Sequence, residues 1–119
     1  MTVSIFNPQT TELFELVASY FKVLSEVSRL QILTCLREGP MNVGEISAAT
    51  GLGQANLSKH LKVLAQAGIL NREPKGVSAY YSIADPAIFQ VCELVCDRIS
   101  VRMQHQAEAL SQLSNFTSK

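Results

Sequence analysis

Residues 42–67 read NVGEISAATGLGQANLSKHLKVLAQA, and this stretch decides the fold. Asn42 is followed three residues later by Glu45, which is the capping-box spacing found at the start of a helix. Gly51 then supplies the left-handed backbone conformation that a tight turn needs, so we expect the first helix to end there. Two helices joined by a short glycine-containing turn form a helix-turn-helix, which is the motif this stretch predicts.

The second helix of the motif, from Gln54 to about Ala67, has two chemically different faces. Leu57, Leu61 and Leu64 recur at helical spacing and predict the face that packs on the core. The other face carries amide, hydroxyl and ammonium groups that can bond to base edges and phosphates. The residues of this helix predicted to bind DNA are Gln54, Ala55, Asn56, Ser58, Lys59, His60 and Lys62.

The chain beyond this helix predicts a β-hairpin. Residues 69–73 and 77–83 read as two strands, and residues 74–76 (Pro-Lys-Gly) read as the turn between them. A hairpin after a helix-turn-helix is the wing of a winged helix-turn-helix, and its predicted DNA contacts are Arg72 and Lys75.

Charge is concentrated on these elements although it cancels over the chain, where ten Lys and Arg balance ten Asp and Glu. Residues 53–76 hold four bases and one acid, for a net charge of +3, whereas residues 1–52 sum to −2 and residues 77–119 to −1. The bases are Lys59, Lys62, Arg72 and Lys75. A local basic stripe is what phosphate binding requires, so the predicted partner is double-stranded DNA.

Several short runs together resemble the ArsR/SmtB family of dimeric bacterial winged-helix repressors. The runs are Arg29-Leu30, Ile32-Leu33, Val43-Gly44-Glu45, LSKHLKVL at residues 57–64, Ala67-Gly68 and Tyr80-Tyr81. The resemblance implies a homodimeric repressor whose operator affinity falls when an inducer binds. It also implies that the helix beginning at Gln54 enters the major groove and the hairpin contacts flanking backbone. One departure is Gly53, where the family usually places a serine cap; glycine caps only a few tenths of a kcal/mol less well.

A long final helix is predicted from Asp85 and Pro86, a cap followed by proline, to about residue 113. At ~1.5 Å per residue it would be about 40 Å long, which is more than one small domain can cover. A heptad seam runs along it through Phe89, Cys92, Cys96, Ile99, Met103, Gln106, Leu110 and Leu113. Such a narrow apolar stripe favours pairing with a second helix, so we expect a homodimer and a palindromic operator.

The chain therefore reads as one domain, residues 1–119, that is mainly α-helical with a small β-hairpin. A helix capped by Ser28 and stopped by Gly39 precedes the motif. The predicted parts are a helix-turn-helix at about residues 42–67, a wing at about 69–83, and dimerisation helices at about 10–24 and 86–113. No membrane partner is expected, since no stretch has the apolar length of a span and the first residues lack a basic signal-peptide region. We expect a cytoplasmic protein.

Cysteines offer one route to an inducer. Cys92 and Cys96 lie four residues apart on one face of the last helix, where their sulfurs can share a soft metal or metalloid ion. Packing of the two thiols in the apolar seam explains the same two residues without any ligand. The sequence therefore establishes no cofactor. Cys35, on another helix, is the third candidate for metal or thiol sensing.

The family's known sensing positions are not matched here. Its thiolate site aligns with residues 42–44, its last-helix metal site with residues 85, 87, 98 and 101, and its paired redox cysteines with residues 34 and 100. Of these positions only Asp85 carries a matching ligand. An ArsR-type regulator with no metal or thiol sensing is therefore one alternative.

An enzyme is not predicted, because the chain has neither a glycine-rich phosphate loop nor a nucleophile elbow. For His60 two interpretations stay open: contact with the DNA backbone, or packing behind the helix. The remaining rival for the whole chain is a winged helix that binds an acidic protein partner.

Overall fold

The computed structural model describes residues 4–117, with side chains up to residue 115. It divides into two compact units, one formed by residues up to Asp85 and one that begins at Pro86. In chain order the elements are α1 (Pro8–Val23), α2 (Val27–Cys35), a single 3₁₀ turn (Leu36–Glu38), β1 (Met41–Asn42), α3 (Val43–Thr50), α4 (Gln54–Gln66), β2 (Leu70–Lys75), β3 (Ser78–Ile83) and α5 (Ala87–Thr117). The expected mainly α-helical architecture with a small antiparallel sheet is confirmed.

Helix α1 begins two residues before its predicted start because Asn7 caps it. The Asn7 side chain accepts hydrogen bonds from the amides of Gln9 and Thr10, both at 3.0 Å, and Thr10 Oγ1 accepts from the Asn7 amide at 2.8 Å. Pro8 occupies the first helical position, where its missing N–H costs nothing. None of the sixteen residues of α1 is buried, so its apolar side chains lie at the surface of this unit.

The predicted cap of α2 is wrong. Glu26 rather than Ser28 is the N-cap, because its carbonyl accepts from the amides of Arg29 and Leu30 at 3.1 and 3.2 Å. Ser28 lies inside the first turn. The helix ends at Cys35, and the 3₁₀ turn that follows stops before Gly39, as its predicted breaker role requires.

The core of the first unit lies among α2, α3 and α4. Side chains exposed by 2% or less fill it, namely Ile32, Leu33, Leu36, Ile46, Leu57, Leu61 and Leu64. Burying one such side chain stabilises a fold by roughly 1.5–3 kcal/mol, so this cluster holds the two helices of the predicted motif against α2. The leucine stripe of α4 is confirmed as its inner face.

The sheet has three antiparallel strands in the order β1-β3-β2, one more than the predicted hairpin. Strand β1 is two residues long and pairs Met41 with Tyr81. The predicted turn at residues 74–76 is wrong: Pro74 and Lys75 belong to β2, and the loop is Gly76-Val77. Strand β2 is an edge strand, where a proline is tolerated because no partner needs its N–H.

The second unit is α5, thirty-one residues that rise by about 46 Å at ~1.5 Å per residue. It begins at Ala87, and the amide of Phe89 donates to the Pro86 carbonyl at 3.1 Å. Large apolar side chains along it are exposed by half or more of their surface, including Ile99, Met103, Leu110 and Leu113. The described helices include none that combines the length and apolar character needed to cross a membrane.

Candidate nucleic-acid interface

The turn between α3 and α4 is fixed by one left-handed glycine and two side-chain hydrogen bonds. Gly51 has φ 77° and ends α3. Ser47 Oγ donates to the Leu52 carbonyl at 2.7 Å, and the Leu52 amide donates to Thr50 Oγ1 at 3.3 Å. The three-residue turn therefore fixes the angle between α3 and α4. Asn42 and Glu45 form the predicted capping box at the other end of α3.

Helix α4 presents the expected polar face to solvent. Leu57, Leu61 and Leu64 are fully buried. The exposed residues include all but one of those predicted to bind DNA on this helix: Gln54, Ala55, Asn56, Ser58, Lys59 and Lys62. Exposure is the condition that groove contacts need, and the assignment of these residues as DNA contacts stays a prediction.

The first turn of α4 adds a feature that composition did not reveal. Gly53 is its N-cap and provides no side-chain hydrogen bond, and the first intrahelical bond runs from the Leu57 amide to the Gly53 carbonyl at 2.8 Å. The amides of residues 54–56 therefore have no intrahelical acceptor. Amides at a helix N-terminus, together with its positive dipole end, favour an anion such as a DNA phosphate.

The wing carries its two predicted bases on exposed positions. Arg72 and Lys75 both lie in β2, and the ammonium of Lys75 sits 5.2 Å from the ring centre of Tyr80 on the neighbouring strand. A cation over an aromatic face is held there without losing its charge. The tip is Gly76-Val77, in which only Gly76 has positive φ, at 61°. This sign pattern fits a type II′ turn, which matches the twist of the hairpin.

A cleft joins the helix-turn-helix to the wing. Its lining combines the start of α3, one residue of α4 and the hairpin, and includes Gly44, Ser58, Arg72 and Ser78. All five charged residues between positions 53 and 76, four bases and Glu73, are exposed. The net +3 of this segment therefore lies at the surface. Ser58 of the helix and Arg72 of the wing, both predicted contacts, line this one cleft.

His60 is the exception among the predicted DNA contacts on α4. It is 5% exposed and accepts a hydrogen bond at Nδ1 from Arg29 Nε at 3.2 Å. Packing behind the helix, the second of its two interpretations, is what the structure shows. A buried imidazole has no surface to offer a phosphate, so His60 is corrected to an interior position.

The three cysteines differ in their surroundings. Burial raises the pKa of the Cys35 thiol, and its own backbone hydrogen bonding lowers it to a lesser extent. For Cys92, burial raises the thiol pKa first and the neighbouring Cys96 thiolate raises it further. Cys96 itself is exposed. Within the described part of the chain no three His, Cys, Asp or Glu side chains gather as a metal site.

Comparison with known proteins adds the following matches. The model of the family described as "Bacterial regulatory protein, arsR family" matches residues 26–72. The HTH-type transcriptional regulator Rv0081 of Mycobacterium tuberculosis, itself uncharacterized, is 34% identical over 102 residues, covering 78% of this chain and 90% of that one. The family-model match includes the whole of α3 and α4.

Two solved structures have folds similar to that of this chain. The solution structure of a homodimeric winged helix-turn-helix DNA-binding domain from Mycobacterium bovis matches with TM-score 0.73 and 28% identity, covering 87% of this chain and 95% of that one. The crystal structure of the AntR antimony-specific transcriptional repressor matches with TM-score 0.66 and 30% identity, covering 87% and 99% respectively. The predicted winged helix-turn-helix is confirmed.

Proposed function

This chain belongs to the arsR family of bacterial regulatory proteins, and we propose that it is a homodimeric repressor that binds a palindromic DNA operator. The family consists of DNA-binding regulators of transcription rather than enzymes, and the chain is such a regulator. The observation that carries the proposal is the two-sided α4, with a buried leucine stripe on one face and exposed amide and ammonium groups on the other.

Base recognition is assigned to the start of α4. Gln54 and Asn56 are exposed there, and side-chain amides can make paired hydrogen bonds to adenine in the major groove. Lys59 can donate to guanine or to phosphate from the same face. Arg72 and Lys75 of the wing then contact the flanking backbone, which sets the register of the helix in the groove.

Dimerisation is assigned to α1 and α5. Each helix leaves a row of large apolar side chains exposed in its own unit, and exposed apolar surface of this extent is typical of a protein interface. The Mycobacterium bovis relative is described as homodimeric, which supports a second copy of this chain as the partner. A two-fold dimer places two α4 helices on half-sites about one helical turn, or a multiple of it, apart. The cytoplasm, where chromosomal DNA lies, is the proposed location.

Selection from a random duplex pool, followed by a salt titration of the selected sequence, tests this proposal. We expect a palindromic consensus and a log K that falls with log salt by about 0.9 per phosphate neutralised. Sedimentation of the free protein at micromolar concentration should give the dimer mass. A monomer, or binding to acidic polypeptide in preference to duplex, would instead favour the protein-interaction module.

For the inducer we propose a soft metal or metalloid ion held by the Cys92 and Cys96 thiolates. The two thiols lie one helical turn apart and are close enough for the charge of one to raise the pKa of the other. The AntR relative, described as antimony-specific, supports a metalloid as the ligand class. A homodimer that pairs its α5 helices would bring two such thiol pairs together.

Native mass spectrometry with zinc, copper(I) and arsenite, read beside release of the operator, tests the thiol site. We expect Cys92→Ser/Cys96→Ser to lose both ion binding and release, while the matched control Cys35→Ser keeps both. A double variant that still releases the operator to each ion would reduce the two cysteines to packing residues.

A further inference from the structure

A polar cluster of two buried side chains and one half-exposed carboxylate joins the recognition helix to the rest of the first unit. Arg29 of α2 and His60 of α4 are 9% and 5% exposed, and Arg29 Nε donates to His60 Nδ1 at 3.2 Å. The carboxylate of Glu26, at the start of α2, lies 3.7 Å from the Arg29 guanidinium and 3.5 Å from His60 Nδ1. The DNA contacts proposed above do not use any of these three groups.

The direction of the hydrogen bond defines the state of the histidine. An arginine Nε–H only donates, so His60 Nδ1 must be unprotonated in order to accept. The hydrogen bond to Arg29 thus belongs to the neutral imidazole with its proton on Nε2. If His60 gains a second proton, two donors face each other at 3.2 Å, and the only oxygen of the cluster near Nδ1 is the Glu26 carboxylate at 3.5 Å.

The same guanidinium also holds the end of α1. Arg29 Nη1 donates to the carbonyl of Val23, the last residue of α1, at 3.1 Å. One planar group thus ties the end of α1, the start of α2 and the inner side of α4 together. Lys59, on the outer face of α4, is the immediate chain neighbour of His60.

Building on the proposed function, we propose that Arg29 is a positioning residue for DNA binding that acts through His60, and that protonation of His60 releases α4 and weakens operator binding. Loss of the bond leaves a buried cation short of one acceptor, which is costly. Acidification should therefore move the equilibrium away from the arrangement of α4 that fits the groove.

The charged groups that contact the His60 imidazole are Arg29 and Glu26. The elements that pack most extensively against α4 are α2, α3 and β2. The remaining charged residues of α3 and β2 are all exposed, and they are Glu45, Arg72, Glu73 and Lys75. The direct partners of the imidazole are therefore Arg29 and Glu26.

Operator affinity measured at about pH 8 and about pH 5.5, at matched salt, tests the inference. We expect the wild-type chain to bind at least about tenfold more weakly at the lower pH, the effect of losing one charged buried hydrogen bond. His60→Asn offers an amide oxygen near the position of Nδ1 and cannot titrate, so it should keep its affinity at both pH values. His105→Asn removes the only other histidine and should retain the wild-type pH profile.

The Arg29→Lys variant tests whether Arg29 positions His60 and α4 or only stabilises the fold. A lysine keeps the charge but lacks the planar fork, so it cannot bond to Val23 and His60 together. We expect weaker operator binding at about pH 8 and a flattened pH profile, with thermal unfolding recorded at both pH values to confirm that each variant is folded. A residue that only stabilises the fold would lower the melting temperature and leave the pH profile of binding unchanged.

Two results would overturn the inference. One is an equal loss of affinity on acidification in wild type and His60→Asn. The other is an imidazole ¹⁵N spectrum at about pH 8 in which Nδ1 of His60 carries the proton. If the wild-type chain selects no duplex at about pH 8, the proposed function fails; if it binds there with a pH profile equal to that of His60→Asn, only the inference fails.

Discussion

Replacing Gly53 with serine should stabilise the fold, because α4 begins at a residue that has no side chain to cap it. The backbone at Gly53 has φ −67° and ψ 149°, an extended conformation that any residue adopts, and a Cβ built there meets no atom within 4 Å. A serine hydroxyl at this position can accept a hydrogen bond from the second or third amide of the helix. The substitution therefore adds a bond without strain.

The expected gain in the free energy of unfolding is small, and an alanine variant at the same position provides the comparison. Serine caps a helix better than glycine by only a few tenths of a kcal/mol, whereas alanine at the same position is worse than serine by about 0.5–2 kcal/mol. Gly53→Ala adds the same Cβ without the hydroxyl and is the matched control. Gly51→Ala, two residues earlier, should lose about 1–2 kcal/mol, since its φ of 77° strains any residue with a Cβ.

Thermal unfolding by circular dichroism, at one fixed protomer concentration, measures these differences, because the midpoint of a dimer depends on concentration. We expect the order of melting temperatures to be Gly53→Ser, then wild type, then Gly53→Ala, with Gly51→Ala well below wild type. A serine variant that melts no higher than the alanine variant would refute the capping argument. A Gly51→Ala variant as stable as wild type would refute the assignment of the turn.

Three further outcomes are expected. Lys59→Ala and Lys75→Ala should each weaken binding to every duplex alike and reduce the slope of log K against log salt by about 1, measured by fluorescence titration. A change in the preferred operator sequence would contradict a phosphate role. Leu61→Ala, at a fully buried site, should lower the free energy of unfolding by about 2–5 kcal/mol in urea titration, and a loss below about 1 kcal/mol would mean that the site is not close-packed. Cys92 should react slowly with iodoacetamide at neutral pH and faster as the pH rises, because its pKa is raised. Cys96→Ser removes the neighbouring thiolate, so the reaction rate of Cys92 should begin to increase at a lower pH. An unchanged pH profile of the rate would show that the two sulfurs do not interact.

The elements that sequence predicts well are those whose signals are local. The capping box of Asn42 and Glu45, the left-handed Gly51 and the leucine spacing of α4 all act within one or two helical turns. Each therefore appears in a short stretch of sequence. The polar face of α4 follows from the same spacing, which is why its exposed residues were identified correctly apart from His60.

The parts that sequence missed depend on distant partners. Strand β1 is two residues long and exists only because Met41 pairs with Tyr81, forty positions later. The predicted wing turn at residues 74–76 is misplaced because the edge position of β2 tolerates Pro74 within the strand. Neither outcome can be obtained from local propensity, since the order of strands in the sheet decides both.

Helix α4 shows how a polar residue on an inner face signals a partner that sequence cannot name. His60 lies among buried leucines, and a buried polar group is costly unless it is hydrogen-bonded. Its helical position thus requires a donor or acceptor from elsewhere in the fold. The structure supplies Arg29, thirty-one residues away, and Arg29 in turn donates to the Val23 carbonyl and lies 3.7 Å from the Glu26 carboxylate. Satisfying one buried histidine therefore connects the ends of two other helices to the helix that bears the DNA-binding face.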